Sequence, residues 1–210
     1  MNIYVNGDSW TYGYEVDDKT KIWPYIVAKE FNLELINESM IGLSNEFILD
    51  KTLKFFSKVN NTEDYFVIIV WSYPIRKDII NNDGKKVELR AKAALEGESI
   101  SLDYYIKYHS EYDDYLRYIR NVLGLQHYFK LNKIKYLMFD VERNTYFNKA
   151  KITESDKEYF DLIDSKNFIG DLYSVSDGNL AEGGHPNELG HEKIYKYMYP
   201  FIKNKIEEVK

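Results

Sequence analysis

The chain contains no cysteine in 210 residues. That one absence excludes a disulfide framework, thiolate zinc sites and a cysteine nucleophile together, and it suits a reducing compartment. Excess positive charge is also missing: 28 Lys and Arg face 34 Asp and Glu, a formal charge of −6. A nucleic-acid partner normally requires a basic stripe to replace backbone counterions, so none is expected. The short basic clusters Lys149–Lys151 and Lys203–Lys210 have acidic neighbours and read as solvated surface. No apolar run approaches the length of a membrane span. Met1–Val5 leads straight into a strand-like run rather than a signal peptide, so a cytoplasmic protein is expected. There is no internal repeat, no low-complexity tract and no Pro/Gly-rich linker. One domain over 1–210 follows. The glycine patterns that cradle phosphates and dinucleotides are absent as well.

What is present is 44% hydrophobic, 30% charged and rich in tyrosine, with 20 of them. Aromatic-rich clefts suit sugars, but Lys, Asn and Ile are abundant too, as an A/T-rich genome produces. Asn2–Asn6, Leu33–Asn37, Tyr65–Trp71 and Lys133–Asp140 read as strands, and a short fifth is expected within 143–179. Tyr65–Trp71 is apolar throughout, which suits a central parallel strand covered on both faces. Trp23–Phe31, Asn45–Phe56, Tyr112–Lys130 and Glu188–Glu208 carry helical apolar spacing. Alternating strands and helices predict a three-layer α/β/α sandwich with a mostly parallel, five-stranded, flavodoxin-like sheet. The pattern weakens over 72–111, where Asn81-Asn82-Asp83-Gly84 is a turn signal. An insertion or lid is expected there.

Open α/β sheets bind ligands outside the carboxyl ends of their strands. Gly7-Asp8-Ser9 lies just past the first strand, with Gly13 close behind. A serine there can expose its hydroxyl while backbone N–H groups face a nearby anion. The triplet alone reads more readily as a turn or a helix cap. Near the other end stands Glu182-Gly183-Gly184-His185-Pro186-Asn187-Glu188-Leu189-Gly190-His191. A serine nucleophile needs a neighbouring base, and histidine titrates in the right range. The base in turn needs a carboxylate to hold its tautomer. Glu182, three residues before His185, can reach it.

Together these segments resemble the SGNH hydrolases, also called GDSL esterases and lipases. Gly7-Asp8-Ser9 with Gly13 matches that family's first block, and His185-Pro186-Asn187 with Gly190-His191 matches its last. Asn37–Asn45 is similar to the second block. The resemblance implies Ser9 as nucleophile, His185 as base, and the backbone N–H groups of Ser9 and Gly42 as oxyanion donors. Two departures stand out. The family's Gly-x-Asn-Asp after the central strand is replaced by Trp71-Ser72-Tyr73-Pro74-Ile75-Arg76, so the asparagine donor is gone. Loss of one such donor typically costs about 100-fold or more in rate. Asn45, Ser72 and Tyr73 are the candidate substitutes, and Arg76 is a candidate contact for an anionic substrate group or a surface ion pair. The second departure is Glu182 where the family has aspartate, with Asp177 as the fallback acid.

His191, His109 and His127 are expected to be structural or surface residues. The six-residue step from His185 to His191 fits no helical ligand pair, so no metal is expected, and acyl transfer of this kind needs no cofactor. The expected activity is hydrolysis of short acyl esters, acetyl first, on a small-molecule or glycan substrate. The alternatives are a non-catalytic glycan-binding or structural domain on the same fold, and an acyltransferase or lipase using the same triad.

Overall fold

A computed structural model describes residues 1–142 and 154–207. The Lys149–Lys151 cluster lies outside the described residues. Strand β1 (Asn2–Asn6) runs into a one-turn helix, α1 (Ser9–Tyr12), and then helix α2 (Trp23–Glu30), whose Pro24 sits in the first turn, where its missing N–H costs nothing. Strand β2 (Glu34–Asn37), helix α3 (Asn45–Phe56) and strand β3 (Tyr65–Trp71) follow. The segment after β3 holds the hairpin β4 (Lys77–Ile80) and β5 (Lys86–Leu89), then helices α4 (Ala91–Leu95) and α5 (Ser99–Lys107). The chain continues through α6 (Glu111–Leu131), β6 (Lys135–Asp140), α7 (Glu154–Asp161), β7 (Phe168–Asp171), α8 (Leu172–Ser176) and α9 (Glu188–Glu207).

The main sheet has the order β2-β1-β3-β6-β7 with every pair parallel. Alternate residues of each strand face opposite layers. Tyr4, Val67, Ile69, Trp71, Tyr136 and Met138 pack against α3 and α6 through Ile48, Phe56, Ile119, Val122 and Phe129. Ile3, Val5, Ile68, Val70, Leu137 and Phe139 face α2 and α9 through Trp23, Val27, Ile194, Met198 and Ile202. Each such large apolar side chain contributes roughly 1.5–3 kcal/mol of burial free energy. The predicted α/β/α sandwich and its five-stranded sheet are the observed architecture.

The strand order reverses at β1, which has β2 on one side and β3 on the other. A crevice therefore opens beyond the carboxyl ends of β1 and β3. Ser9 follows the first of these strands and Ser72–Arg76 follows the second. The hairpin is antiparallel and forms its own two-stranded sheet. It is held by Asp78, whose carboxylate lies 3.1 Å from Arg90 and 3.3 Å from Lys86.

Candidate active site

The turn that carries Ser9 is constrained from three sides. Asn6, at the end of β1, donates its amide to Ile48 O at 3.1 Å and Thr52 Oγ1 at 3.0 Å, and its own oxygen accepts from Gly7 N–H at 2.9 Å. A side chain at Gly7 would put its Cβ 2.4 Å from Thr11 Oγ1 and 2.9 Å from Val70 O, so only glycine lets α1 pass this close to β3. Asp8 caps α1 by accepting from Trp10 N–H at 3.0 Å. Ser9 is the first residue of that helix, so its N–H has no carbonyl within the helix to bind.

His185 Nε2 lies 3.0 Å from Ser9 Oγ. Its Nδ1 lies 2.8 Å from Glu15 Oε2. The carboxylate at the histidine is therefore Glu15, from the loop just after the Ser9 turn, and not Glu182. The fallback acid Asp177 pairs instead with Lys193 at 2.8 Å. Glu15 is reached because Gly13 ends α1 in the left-handed region, turning the chain back beside Ser9. Glu15 itself has φ of +68°, a conformation that costs a non-glycine residue energy and marks a position held by its surroundings. Gly183 N–H donates to Glu15 Oε1 at 2.8 Å, and a Cβ at Gly183 would sit 2.6 Å from the other oxygen. A side chain at position 183 would push the Glu15 carboxylate out of this position. The hydrogen bonds from His185 and Gly183 lower the Glu15 pKa below the ordinary carboxylate value. An ionised Glu15 requires a proton on Nδ1, which leaves Nε2 to accept from the Ser9 hydroxyl. Tyr14 meets the imidazole edge-on at 4.9 Å between ring centres.

The region of the missing asparagine is rebuilt as a polar brace. Asn45 donates to Ser72 O at 3.0 Å and accepts from Ser72 N–H at 2.7 Å, joining the start of α3 to the end of β3. Ser72 Oγ donates to Asp8 Oδ2 at 2.8 Å, and Arg76 Nη1 reaches the same carboxylate oxygen at 2.6 Å. Arg76 thus pairs with a fully buried partner rather than a surface one. Asn45 and Ser72 are both engaged in this brace. Tyr73 is half-buried with its ring 5.2 Å from the Arg76 guanidinium, and burial raises its pKa well above the ordinary phenol value. Gly42 adopts φ of +75°, and its carbonyl accepts from Arg90, which lies just past β5. The loop before it runs beside the Ser9 turn, with Met40 N–H donating to Gly7 O at 3.2 Å.

The remaining histidines stand apart. His191 is buried; its Nδ1 accepts from Trp23 N–H at 3.4 Å, and burial lowers its pKa to about 4. His109 lies 2.8 Å from Asp114 within a network around Arg117, and His127 contacts Leu123 O at 2.7 Å. Among the described residues, no helix is long and apolar enough to cross a membrane.

No protein-family model matches this sequence, and no curated protein matches it. Solved structures do. TesA aligns over 98% of this chain and 99% of its own, with a TM-score of 0.61 at 13% identity. The esterase EstA from Pseudoalteromonas sp., in a structure inhibited by monoethylphosphonate, aligns over 98% of both chains with a TM-score of 0.59 at 14% identity. The acetyl xylan esterase Est2A from Butyrivibrio proteoclasticus gives 0.57 at 14% identity, over 98% of this chain and 64% of that one. The fold is that of the SGNH, or GDSL, hydrolases.

Proposed function

We propose that the protein is a serine esterase of the SGNH type, with Ser9 as nucleophile, His185 as general base and Glu15 as the orienting acid. The single observation that carries this reading is the continuous Ser9–His185–Glu15 contact, at 3.0 Å and 2.8 Å. Ser9 Oγ attacks the ester carbonyl as its proton passes to His185 Nε2, and Glu15 stabilises the imidazolium. His185 returns the proton to the departing alcohol, then takes one from the water that releases the acyl group. The Ser9 and Gly42 backbone N–H groups are the proposed oxyanion donors. Short acyl groups, acetyl first, are the proposed acyl class, and the structurally similar Est2A is an acetyl xylan esterase. The test is turnover of p-nitrophenyl acetate by the native protein and by Ser9→Ala. Loss of about 10⁴-fold or more is expected from removing a triad nucleophile. Equal rates in the two proteins would remove Ser9 from the mechanism.

A further inference from the structure

Glu15 reaches His185 from an exposed turn. Gly13 to Val16 form four residues closed by Val16 N–H, which donates to Gly13 O at 3.2 Å. Glu15 takes the third position at φ of +68°, in the left-handed region that favours glycine or asparagine there. Tyr14 and Glu15 are exposed residues, so packing does not hold this stretch of backbone. The turn nonetheless presents a carboxylate 2.8 Å from His185 Nδ1. Something other than burial keeps it from relaxing.

That support is Lys19. Asp18 accepts from Thr20 N–H at 3.0 Å and from the Thr20 hydroxyl at 2.7 Å, which starts a short 3₁₀ turn (Lys19–Lys21) whose first side chain returns to the loop. Lys19 Nζ donates to Gly13 O at 2.7 Å and to Val16 O at 2.8 Å. These are the first and last carbonyls of the turn, so one ammonium fastens both of its ends. Hydrogen bonds from a charged donor are roughly twice as strong as neutral ones. The same ammonium lies 4.9 Å from the centre of the Tyr12 ring. Lys21, two residues on, pairs with Glu188 at 2.7 Å, whereas Lys19 has no carboxylate partner among the described residues. Its charge is spent on the loop carbonyls.

We propose that Lys19 is the positioning residue of the triad acid: by clamping both ends of the Gly13–Val16 turn it holds the Glu15 carboxylate against His185. The proposal rests on the Ser9–His185–Glu15 reading above. Lys19 bonds neither Ser9 nor His185, so its effect on rate passes through Glu15. The competing route runs from Gly13 to the Ser9 turn, since Gly13 N–H donates to Ser9 O at 3.1 Å.

A double-mutant cycle separates the two routes, read by the rate of fluorophosphonate labelling of Ser9 and by kcat and KM on p-nitrophenyl acetate. Lys19→Met keeps the alkyl stem and removes the donors. In the native background it should slow labelling and lower kcat by about tenfold with KM nearly unchanged, because small misplacements of a catalytic group are costly. Lys19→Arg, which keeps charged donors, should restore most of that loss. In Glu15→Gln, where no carboxylate charge remains to be placed, Lys19→Met should add less than about twofold. The same tenfold loss in both backgrounds would route the effect through the Ser9 turn and overturn the proposal, as would a native rate in Lys19→Met. So would unfolding of Lys19→Met, seen by circular dichroism, under conditions where Glu15→Gln stays folded. A ¹³C titration of the Glu15 carboxyl checks the clamp without any ester. Its pKa, lowered by the hydrogen bonds from His185 and Gly183, should rise toward the ordinary carboxylate value in Lys19→Met and stay low in Lys19→Arg. An unmoved titration in Lys19→Met overturns the clamp and leaves the triad standing. A moved titration in a protein whose native Ser9 is never labelled overturns the triad and keeps Lys19 as the support of Glu15.

Discussion

Asp8 shows how much of the Ser9 turn depends on one buried carboxylate. It is fully buried, caps the first turn beside Ser9, and receives hydrogen bonds from Ser72 and Arg76. Removing one partner of a buried pair strands the other charge, so Asp8→Ala should lower the unfolding free energy by about 3–5 kcal/mol in urea titrations. A loss under about 1 kcal/mol would mean that Arg76 finds water instead. Glu15 teaches a different lesson. The meeting of Ser9 and His185, at 3.0 Å, was legible in outline because Gly7-Asp8-Ser9 follows the first strand and His185-Pro186-Asn187 precedes the last helix. Glu15 was missed because proximity along the chain favoured Glu182, three residues from His185. The signal for Glu15 was Gly13, a breaker that returns the chain to Ser9 within a few residues.

At the scale of elements, the segment between β3 and α6 reaches Gly42 through Arg90. That side chain is anchored by Asp78 and Glu88 on the hairpin and donates to the Gly42 carbonyl. Because Gly42 sits at φ of +75°, where a glycine moves freely, an anchor on its carbonyl limits the orientation of the neighbouring peptide. Arg90→Met should therefore lower kcat on p-nitrophenyl acetate by roughly 10- to 100-fold, with a smaller change in KM, because small misplacements of catalytic groups are costly. A change confined to KM would assign Arg90 to binding alone. The long elements were readable from the sequence: the ends of β1, α3 and β3 coincide with their apolar runs. The hairpin was not, since Lys77–Ile80 and Lys86–Leu89 are four residues each and depend on the Asp78 ion pairs rather than a buried face.

For the whole molecule, His191 joins the start of α9 to the start of α2 through Trp23, between two helices that cover one face of the sheet. Burial, with a smaller contribution from Lys19, lowers its native pKa to about 4, against an ordinary value of 6.5. The unfolded chain then binds the proton more readily than the native one. Stability is complete above pH 6.5 and declines as pH falls toward about 4, by on the order of 3 kcal/mol for this group. Urea titrations at pH 7 and pH 5 should show that decline, and His191→Gln should reduce it; an identical decline in the variant would place its cause elsewhere. The sheet order made this architecture and brought residues 9, 15 and 185 together at one edge. That convergence is most directly tested by the rate at which a fluorophosphonate probe labels Ser9 in native protein, Glu15→Gln and Glu182→Gln. Labelling should slow by about 10²-fold or more in Glu15→Gln, where the imidazole loses its orienting charge, and stay near native in Glu182→Gln. Native-rate labelling in Glu15→Gln together with slow labelling in Glu182→Gln would contradict the assignment of the acid, and no labelling of native Ser9 would contradict the triad itself.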